Sequence, residues 1–292
     1  MIYWITVNYY STELIQRLID SIVETCQGAS LHGINYQVII INNSPDDISI
    51  HQLKSSFVLI LDAPENIGFG RGCNIGLNWV YQQDSQALVW LINPDAYLSK
   101  NALSQASDFF ENYPKLSILG TVIYNATGGL EFTEGEFNRK TGEIIVKNKL
   151  SEHGKNQPYK LTEWVSGCSL LINFKNFREC PYFDPNYFLY YEDFDFCLRY
   201  RNQGHQIGIT SKLQVFHETS SITQRNPNLK LQYSIYSYLL SLDKHTSKVI
   251  LFYWLFRISF IGLITLLITP KKSGYKLKGV LNFIFKTNKD KL

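Results

Sequence analysis

The chain is sparing with cysteine. Its five, Cys26, Cys73, Cys168, Cys180 and Cys197, are odd in number and widely spaced, and no C-x-x-C pair suggests zinc or redox chemistry. Reduced thiols in a cytosolic compartment fit this usage. The N-terminus, MIYWITVNYY, lacks the basic region followed by a long apolar region that marks a secretory signal, and it reads instead as a strand. There is no internal repeat and no low-complexity linker. Charge is scarce as well, at 18% of 292 residues against 45% hydrophobic, which excludes wholesale disorder and provides for a sizeable core. This length accommodates one large α/β domain, or a domain of about 200 residues with an appendage.

The net charge of +3 conceals a polarity along the chain. From Asp243 onward there are 10 Lys or Arg and 2 Asp or Glu, giving +8, so the first 242 residues hold 18 basic and 23 acidic, giving −5. A basic tail on an acidic body points to an anionic surface near the C-terminus, the plainer alternative being a solvated lysine-rich end. Within the tail, Val249 to Thr269 is a 21-residue apolar run whose one charged residue is Arg257. It is long enough to span a bilayer, but an Arg near the middle costs about 2.5–3.5 kcal/mol on insertion scales, which disfavours spanning. Pro270 ends the run, and Lys271, Lys272, Lys276 and Lys278 follow beside Tyr275, with Phe283, Ile284 and Phe285 beyond. Lysines interleaved with aromatics suit a segment lying on an anionic leaflet; a helical hairpin buried in a homodimer interface is the alternative.

Apolar, β-rich runs alternate with helical patterns through the first 120 residues. Ile2 to Val7, Tyr36 to Ile41, Phe57 to Leu61 and Ala87 to Ile92 read as strands, and Ser11 to Thr25 and Gly70 to Tyr81 as helices. This order predicts an α/β fold with a mostly parallel central sheet flanked by helices. Ligands of such sheets gather beyond the carboxyl ends of the strands. Residues from Ser117 to His217 are more mixed, with Gly128, Gly129, Gly135 and Gly142 marking a hairpin excursion, and from Asn228 to Phe285 the pattern is helical and very apolar.

The polar residues collect at the predicted strand ends. Thr6-Val7-Asn8-Tyr9-Tyr10 and Asn42-Asn43-Ser44-Pro45-Asp46 offer short polar side chains for a base or ribose, although the same residues are ordinary turn formers. The glycine-rich stretch Glu65 to Asn74 fails as a dinucleotide fingerprint, because Cys73 stands where the last glycine of G-x-G-x-x-G belongs. It can still present backbone N–H groups beside Arg71 to a diphosphate, or be a plain helix start. Asn93-Pro94-Asp95 follows the fourth strand and holds Asp95 past the sheet edge, where a carboxylate can grip a divalent ion or simply turn the chain. Glu192, Asp193 and Asp195 lie within four residues of one another. On a helix Asp195 pairs with Arg199 at i, i+4, while Asp193 sits roughly 200° away and is free to face a cleft as a general base. His217 ends a short apolar strand from Leu213 to Phe216, where a lone histidine is either a ligand or a satisfied core residue.

The ordered set TVNYY, INNSPD, ENIGFGRGCN, LINPDA, EWVSGCSLLI, YFLYYEDFDFCLR and VFH resembles the inverting family 2 glycosyltransferases of the GT-A fold, especially bacterial rhamnosyltransferases of polysaccharide biosynthesis. The likeness runs from Ile2 to Thr223. It implies a glycosyltransferase domain over 1–225 and a C-terminal helical segment over 226–292. By resemblance, Thr6, Asn8, Tyr9, Asn43, Asn66, Gly68 and Arg71 bind the nucleotide-sugar donor, and Asp95 binds donor and metal in a D-x-D-like motif whose first carboxylate is replaced by Asn93. Trp164, Gly167 and Glu192 fall on the acceptor side, Asp193 matches the catalytic base, and His217 completes a site for Mg²⁺ or Mn²⁺.

The implied activity is inverting, metal-dependent hexosyl transfer, with rhamnose as the first expectation, from a dTDP- or UDP-sugar to a lipid-linked saccharide. The expected location is peripheral, on the cytoplasmic face of the cell membrane, with no nucleic acid partner. Two other classes are kept apart by experiment: a catalytically silent scaffold of the same fold, and a sugar-phosphate nucleotidyltransferase, which would release pyrophosphate.

Overall fold

Strand β1 (Ile2–Asn8) is buried at every position, as a strand at the centre of a two-sided sheet must be. The computed structural model describes residues 1–27, 36–99, 102–149, 158–218 and 226–289. In it β1 pairs in parallel with β2 (Tyr36–Asn42) on one side and with β4 (Leu88–Ile92) on the other, and β2 pairs in parallel with β3 (Val58–Asp62). The crossovers are α1 (Thr12–Gln27) and α2 (Phe69–Gln83), within two residues of the helices expected from periodicity. Trp4 of β1 and Trp90 of β4 stack at 4.3 Å between ring centroids, and Trp90 donates its indole N–H to Ser169.

The far half of the sheet is mixed. After β5 (Ala96–Leu98) and α3 (Ala102–Asn112) come β6 (Leu116–Asn125), β7 (Leu130–Phe132), the hairpin β8 (Glu134–Asn138) and β9 (Glu143–Lys147), and β10 (Lys160–Leu161). Strand β11 (Ser169–Asn173) inserts antiparallel between β4 and β6. Helix α4 (Glu192–Asn202) then leads into β12 (Gln206–His217), which runs parallel to β6 and antiparallel to β5. The sheet order is β10-β12-β6-β11-β4-β1-β2-β3. The apolar run expected at Leu213 to Phe216 is thus the end of a 12-residue strand, its register with β6 shifted between Thr210 and Gln214.

Two glycines set how closely α2 lies on β1. A Cβ on Gly72 would stand 3.0 Å from Val7, and one on Gly76 would stand 2.8 Å from Ile5. The glycine-rich segment is therefore a close-packing device along one helix face, which explains why it misses the dinucleotide spacing.

The C-terminal residues form α5 (Pro227–His245), α6 (Lys248–Ile264) and α7 (Pro270–Lys289), which share an apolar cluster including Leu239, Leu242, Leu251 and Phe283. The apolar run from Val249 is broken after Ile264 by a turn, and among the described residues no helix is long and apolar enough to cross a membrane. Cys73, Cys168, Cys180 and Cys197 are free; residues 219–225 and the Cys26 side chain lie outside the described residues.

Candidate active site

The direction of strand succession reverses between β1 and β4, and a cavity of about 740 Å³ opens beyond their carboxyl ends. Val7 and Tyr9 continue β1 into it, Asn93, Pro94 and Asp95 continue β4, and Ser166, Gly167 and Cys168 precede β11. The segment from Phe188 to Asp193 and the first turns of α5 complete the wall.

Asp95 and His217, 122 residues apart in sequence, meet because β12 lies antiparallel to β5 with His217 opposite Ala96. His217 Nε2 is 3.1 Å from Asp95 Oδ1, and Nδ1 is 3.2 Å from Glu131 on β7. Burial works to lower the His217 pKa, but Cys168, Asp95 and Glu131 around the ring outweigh it and raise the value well above that of an ordinary histidine. Glu131 was not legible as a site residue; its one sequence signal is a charge between two apolar strand residues, Leu130 and Phe132.

These residues fit a divalent ion. At metal distances of about 2.1–2.2 Å, neighbouring ligand atoms of an octahedral ion lie roughly 3 Å apart, which is the separation of the Asp95 and His217 donor atoms. A carboxylate on the far ring nitrogen, as Glu131 provides, is the usual support for a metal-binding imidazole. Among the described residues no cluster of three or more His, Cys, Asp or Glu forms a ligand set, so phosphate oxygens and water would fill the other positions.

Asp193, the second residue of α4, lines the same cavity. Its Oδ2 accepts the Gly167 N–H at 2.8 Å and its Oδ1 accepts that of Phe194. A Cβ on Gly167 would lie 3.2 Å from the Asp193 Cβ, so glycine is what lets the two meet. Burial raises the Asp193 pKa while the backbone N–H groups oppose the shift. Glu192 beside it is buried, its Oε2 has no hydrogen-bond partner among the described residues, and burial together with the Asp193 charge pushes its pKa up to about 8. Two adjacent buried carboxylates resist ionising together, so both are held above the ordinary carboxylate range.

The helix carrying both carboxylates starts abruptly. Tyr190 and Tyr191 hold φ values of 70° and 63°, in the left-handed region, and turn the chain so that α4 begins at the cavity edge. Asp195 points the other way. It is fully buried, pairs with Arg199 at 2.7 Å and with Lys244 and His245 of α5, and ties the C-terminal helices to α4. Burial alone would raise its pKa, but His245, Arg199 and Lys244 lower it to about 2.

On the donor side, Asn43 staples the loop before α2. Its Nδ2 donates to Asn66 at 2.9 Å, and its Oδ1 accepts the Ile67 N–H at 3.0 Å. Gly68 caps α2 at φ 88°, where a Cβ would stand 2.2 Å from the Phe188 carbonyl oxygen. Tyr9, Asn43, Asn66, Gly68, Asp95, Gly167, Glu192, Asp193 and His217 all line the cavity.

Four of the sequence-predicted residues do not. Thr6 and Asn8 flank cavity-facing Val7 on a strand whose side chains alternate, so they face away from it. Asn8 instead donates to Asn42 and Asp47 and accepts from Ser11, fixing the loops around it. Arg71 donates to the Pro185 carbonyl at 2.6 Å on the outer surface. Trp164 is buried under the β8–β9 hairpin, with its indole N–H on Glu136 and its ring against Phe132 and Phe194. Besides Glu131, the residues missed from sequence include Cys168, Phe188, Leu189, Tyr190, Tyr191 and the α5 face of Asn226, Leu229, Lys230 and Tyr233. The i, i+3, i+4, i+7 spacing of that face was visible, but not which way it would point.

Residues 3–180 match the family described as Glycosyl transferase family 2. A low-salt glycan biosynthesis hexosyltransferase of Haloferax volcanii is 24% identical over 73% of this chain and 66% of its own length. An N-acetylglucosaminyl-diphospho-decaprenol L-rhamnosyltransferase of Mycobacterium tuberculosis is 22% identical over 65% of this chain and 68% of its own. The crystal structure of GalNAc-T7 with UDP, GalNAc and Mn²⁺ superposes with a TM-score of 0.58 at 12% identity, covering 83% of this chain and 47% of that one. That likeness is one of fold, with the central sheet and flanking helices in common.

Proposed function

Since the chain belongs to glycosyl transferase family 2, we propose that it is an inverting enzyme moving a sugar, rhamnose first among the candidates, from a nucleoside diphosphate to a hydroxyl of a lipid-linked saccharide in cell-surface polysaccharide synthesis. The observation that carries this reading is that one cavity is lined by both the Asp95–His217 pair and the Asp193 carboxylate. The rhamnosyl and lipid-linked parts take support from the mycobacterial relative's name, and the nucleotide and ion from the ligands in the GalNAc-T7 structure.

In this reading Asp193 takes the proton of the acceptor hydroxyl as its oxygen bonds to the anomeric carbon. The bond from that carbon to the diphosphate oxygen breaks on the opposite side, the electron pair leaves with the diphosphate, and the anomeric configuration inverts. Asp95 and His217 would hold Mg²⁺ or Mn²⁺, which when bound supplies positive charge for the departing diphosphate. Asn43, Asn66 and Gly68 shape the donor side with Tyr9, and Gly167 holds Asp193 in place. Thr6 and Asn8 act from behind this wall, Arg71 ties the start of α2 to Pro185 on the outer surface, and Trp164 supports the acceptor side by packing on Phe194. An acceptor carried on lipid would bring the enzyme to a cytoplasmic membrane face as a peripheral protein.

The test is mass spectrometry of products from a panel including dTDP-rhamnose and UDP-sugars, with a polyprenyl-diphosphate saccharide as acceptor. A product heavier by one sugar, lost in Asp193→Asn, is the expected result. Pyrophosphate release from a nucleoside triphosphate and a sugar phosphate, or nucleotide binding without any turnover, would overturn the reading.

A further inference from the structure

Helix α6 has two apolar sides, of which one is covered. Leu251, Leu255, Ile258 and Gly262 face α5 and α7. On the other side Val249, Phe252, Phe256, Phe260 and Leu263 repeat at helical spacing and are 52–78% exposed. The stripe continues past the helix end into Leu267, 94% exposed, and Ile268. A contiguous patch of this kind marks an interaction surface. Directly after it, exposed Lys271, Lys272 and Lys278 lie on α7.

We propose that this face docks the protein on an anionic bilayer, with α6 lying in the membrane plane and the turn at Leu267 inserted deepest. Charge selects the occupant. From Val249 to Lys289 there are seven Lys or Arg and no Asp or Glu, so a second copy packed through the same segment would add like charge and no carboxylate of that segment to pair with it. Acidic headgroups satisfy the same lysines while the acyl region takes the aromatic and leucine side chains. Length selects the orientation: 17 residues of helix make about 25 Å, short of a hydrocarbon core of about 30 Å, and the helix ends in a turn rather than continuing. Arg257, its guanidinium 4.6 Å from the Trp254 ring centroid, is tolerated at the flank of a helix lying in the interface but not at the centre of a spanning one. Because α5 both lines the cavity and packs on α6 and α7, docking holds the cavity close to the lipid surface. The inference stands on this surface and does not depend on which sugar or acceptor the cavity takes.

Flotation of the full chain with phosphatidylcholine vesicles containing about 30% phosphatidylglycerol tests it. The protein should float at 0.15 M NaCl, stay bound at 1 M NaCl, and float poorly with phosphatidylcholine alone. The double change F256E/L267E, at two exposed positions, should lower the bound fraction at least tenfold with an unchanged melting temperature, and K271E/K272E should lower it at least threefold at 0.15 M NaCl. Brominated acyl chains should quench the indole introduced by L267W. Protein that stays at the bottom of the gradient, that floats equally well as F256E/L267E, or that instead forms a salt-resistant dimer split by F256E/L267E would overturn the proposal. So would flotation without any quenching in L267W.

Discussion

His217 Nε2 lies 3.1 Å from Asp95 Oδ1, although the two residues are 122 positions apart, and Glu131 holds the other ring nitrogen. If the pair grips an ion, Asp95→Ala and His217→Ala should abolish the Mn²⁺-dependent part of UDP or dTDP binding. Glu131→Gln should weaken Mn²⁺ about 10–100-fold, the usual effect of losing a supporting carboxylate. Isothermal titration of each variant with nucleotide, with and without Mn²⁺, measures this. Equal binding in both conditions by the unaltered protein would remove the ion from the account.

Asp193→Asn should lower turnover by about 10²–10⁴, the range for losing a general base, and leave donor affinity within a few fold. Gly167→Ala should follow it in part, since the new methyl would press on the Asp193 side chain and displace it. Steady-state kinetics alongside donor titration separate the two effects. Turnover retained in Asp193→Asn but lost in Glu192→Gln would move the base by one residue.

Asp195 is a matter of stability. Removing its charge leaves Arg199, Lys244 and His245 facing a neutral group in a buried site, so Asp195→Asn should cost about 3–5 kcal/mol. Its folded pKa, about 2, is below the ordinary 3.8, so the ionised carboxylate favours the folded state by about 2 kcal/mol at neutral pH. That contribution is complete above about pH 4–5 and disappears as pH falls through about 2. Urea midpoints of the two proteins should therefore converge as the pH is lowered, while donor affinity at pH 7 changes little in any variant that still folds.

For Glu192 the sign is reversed. Its folded pKa, about 8, lies above the ordinary 4.5, so between those values the folded state binds the extra proton and stability falls as pH rises. Glu192→Gln, a neutral replacement of the same shape, should flatten the stability profile between about pH 5 and 8. A profile as steep as that of the unaltered protein would place the proton elsewhere.

The parallel half of the sheet was legible because each of its strands is a short, mostly apolar run followed by Asn or Asp, as in Ile39–Asn43 and Trp90–Asp95. The pairing of Asp195 with Arg199 followed from helical spacing alone. Tertiary contacts were not legible in this way. Asn8 looks like a ligand-binding residue in sequence, yet its amide is consumed locally by Ser11 and, 34 and 39 residues away, by Asn42 and Asp47. Arg71 has the charge for a diphosphate but is held by a carbonyl 114 residues away. Tyr233 and Lys230 line the cavity because a helix from the tail folds back over it, which no local pattern announces.

The left-handed turn at Tyr190 and Tyr191 sets stability against function. Non-glycine residues in that conformation cost about 1–2 kcal/mol apiece, and glycine at either position would relieve much of it. Both rings line the cavity, so the relief would come with the loss of a wall and a looser start to the helix bearing Asp193. Substitutions selected only for heat resistance should therefore collect at these two sites and produce sturdier, slower enzymes, whereas selection for turnover should hold both tyrosines and find its stabilising changes elsewhere.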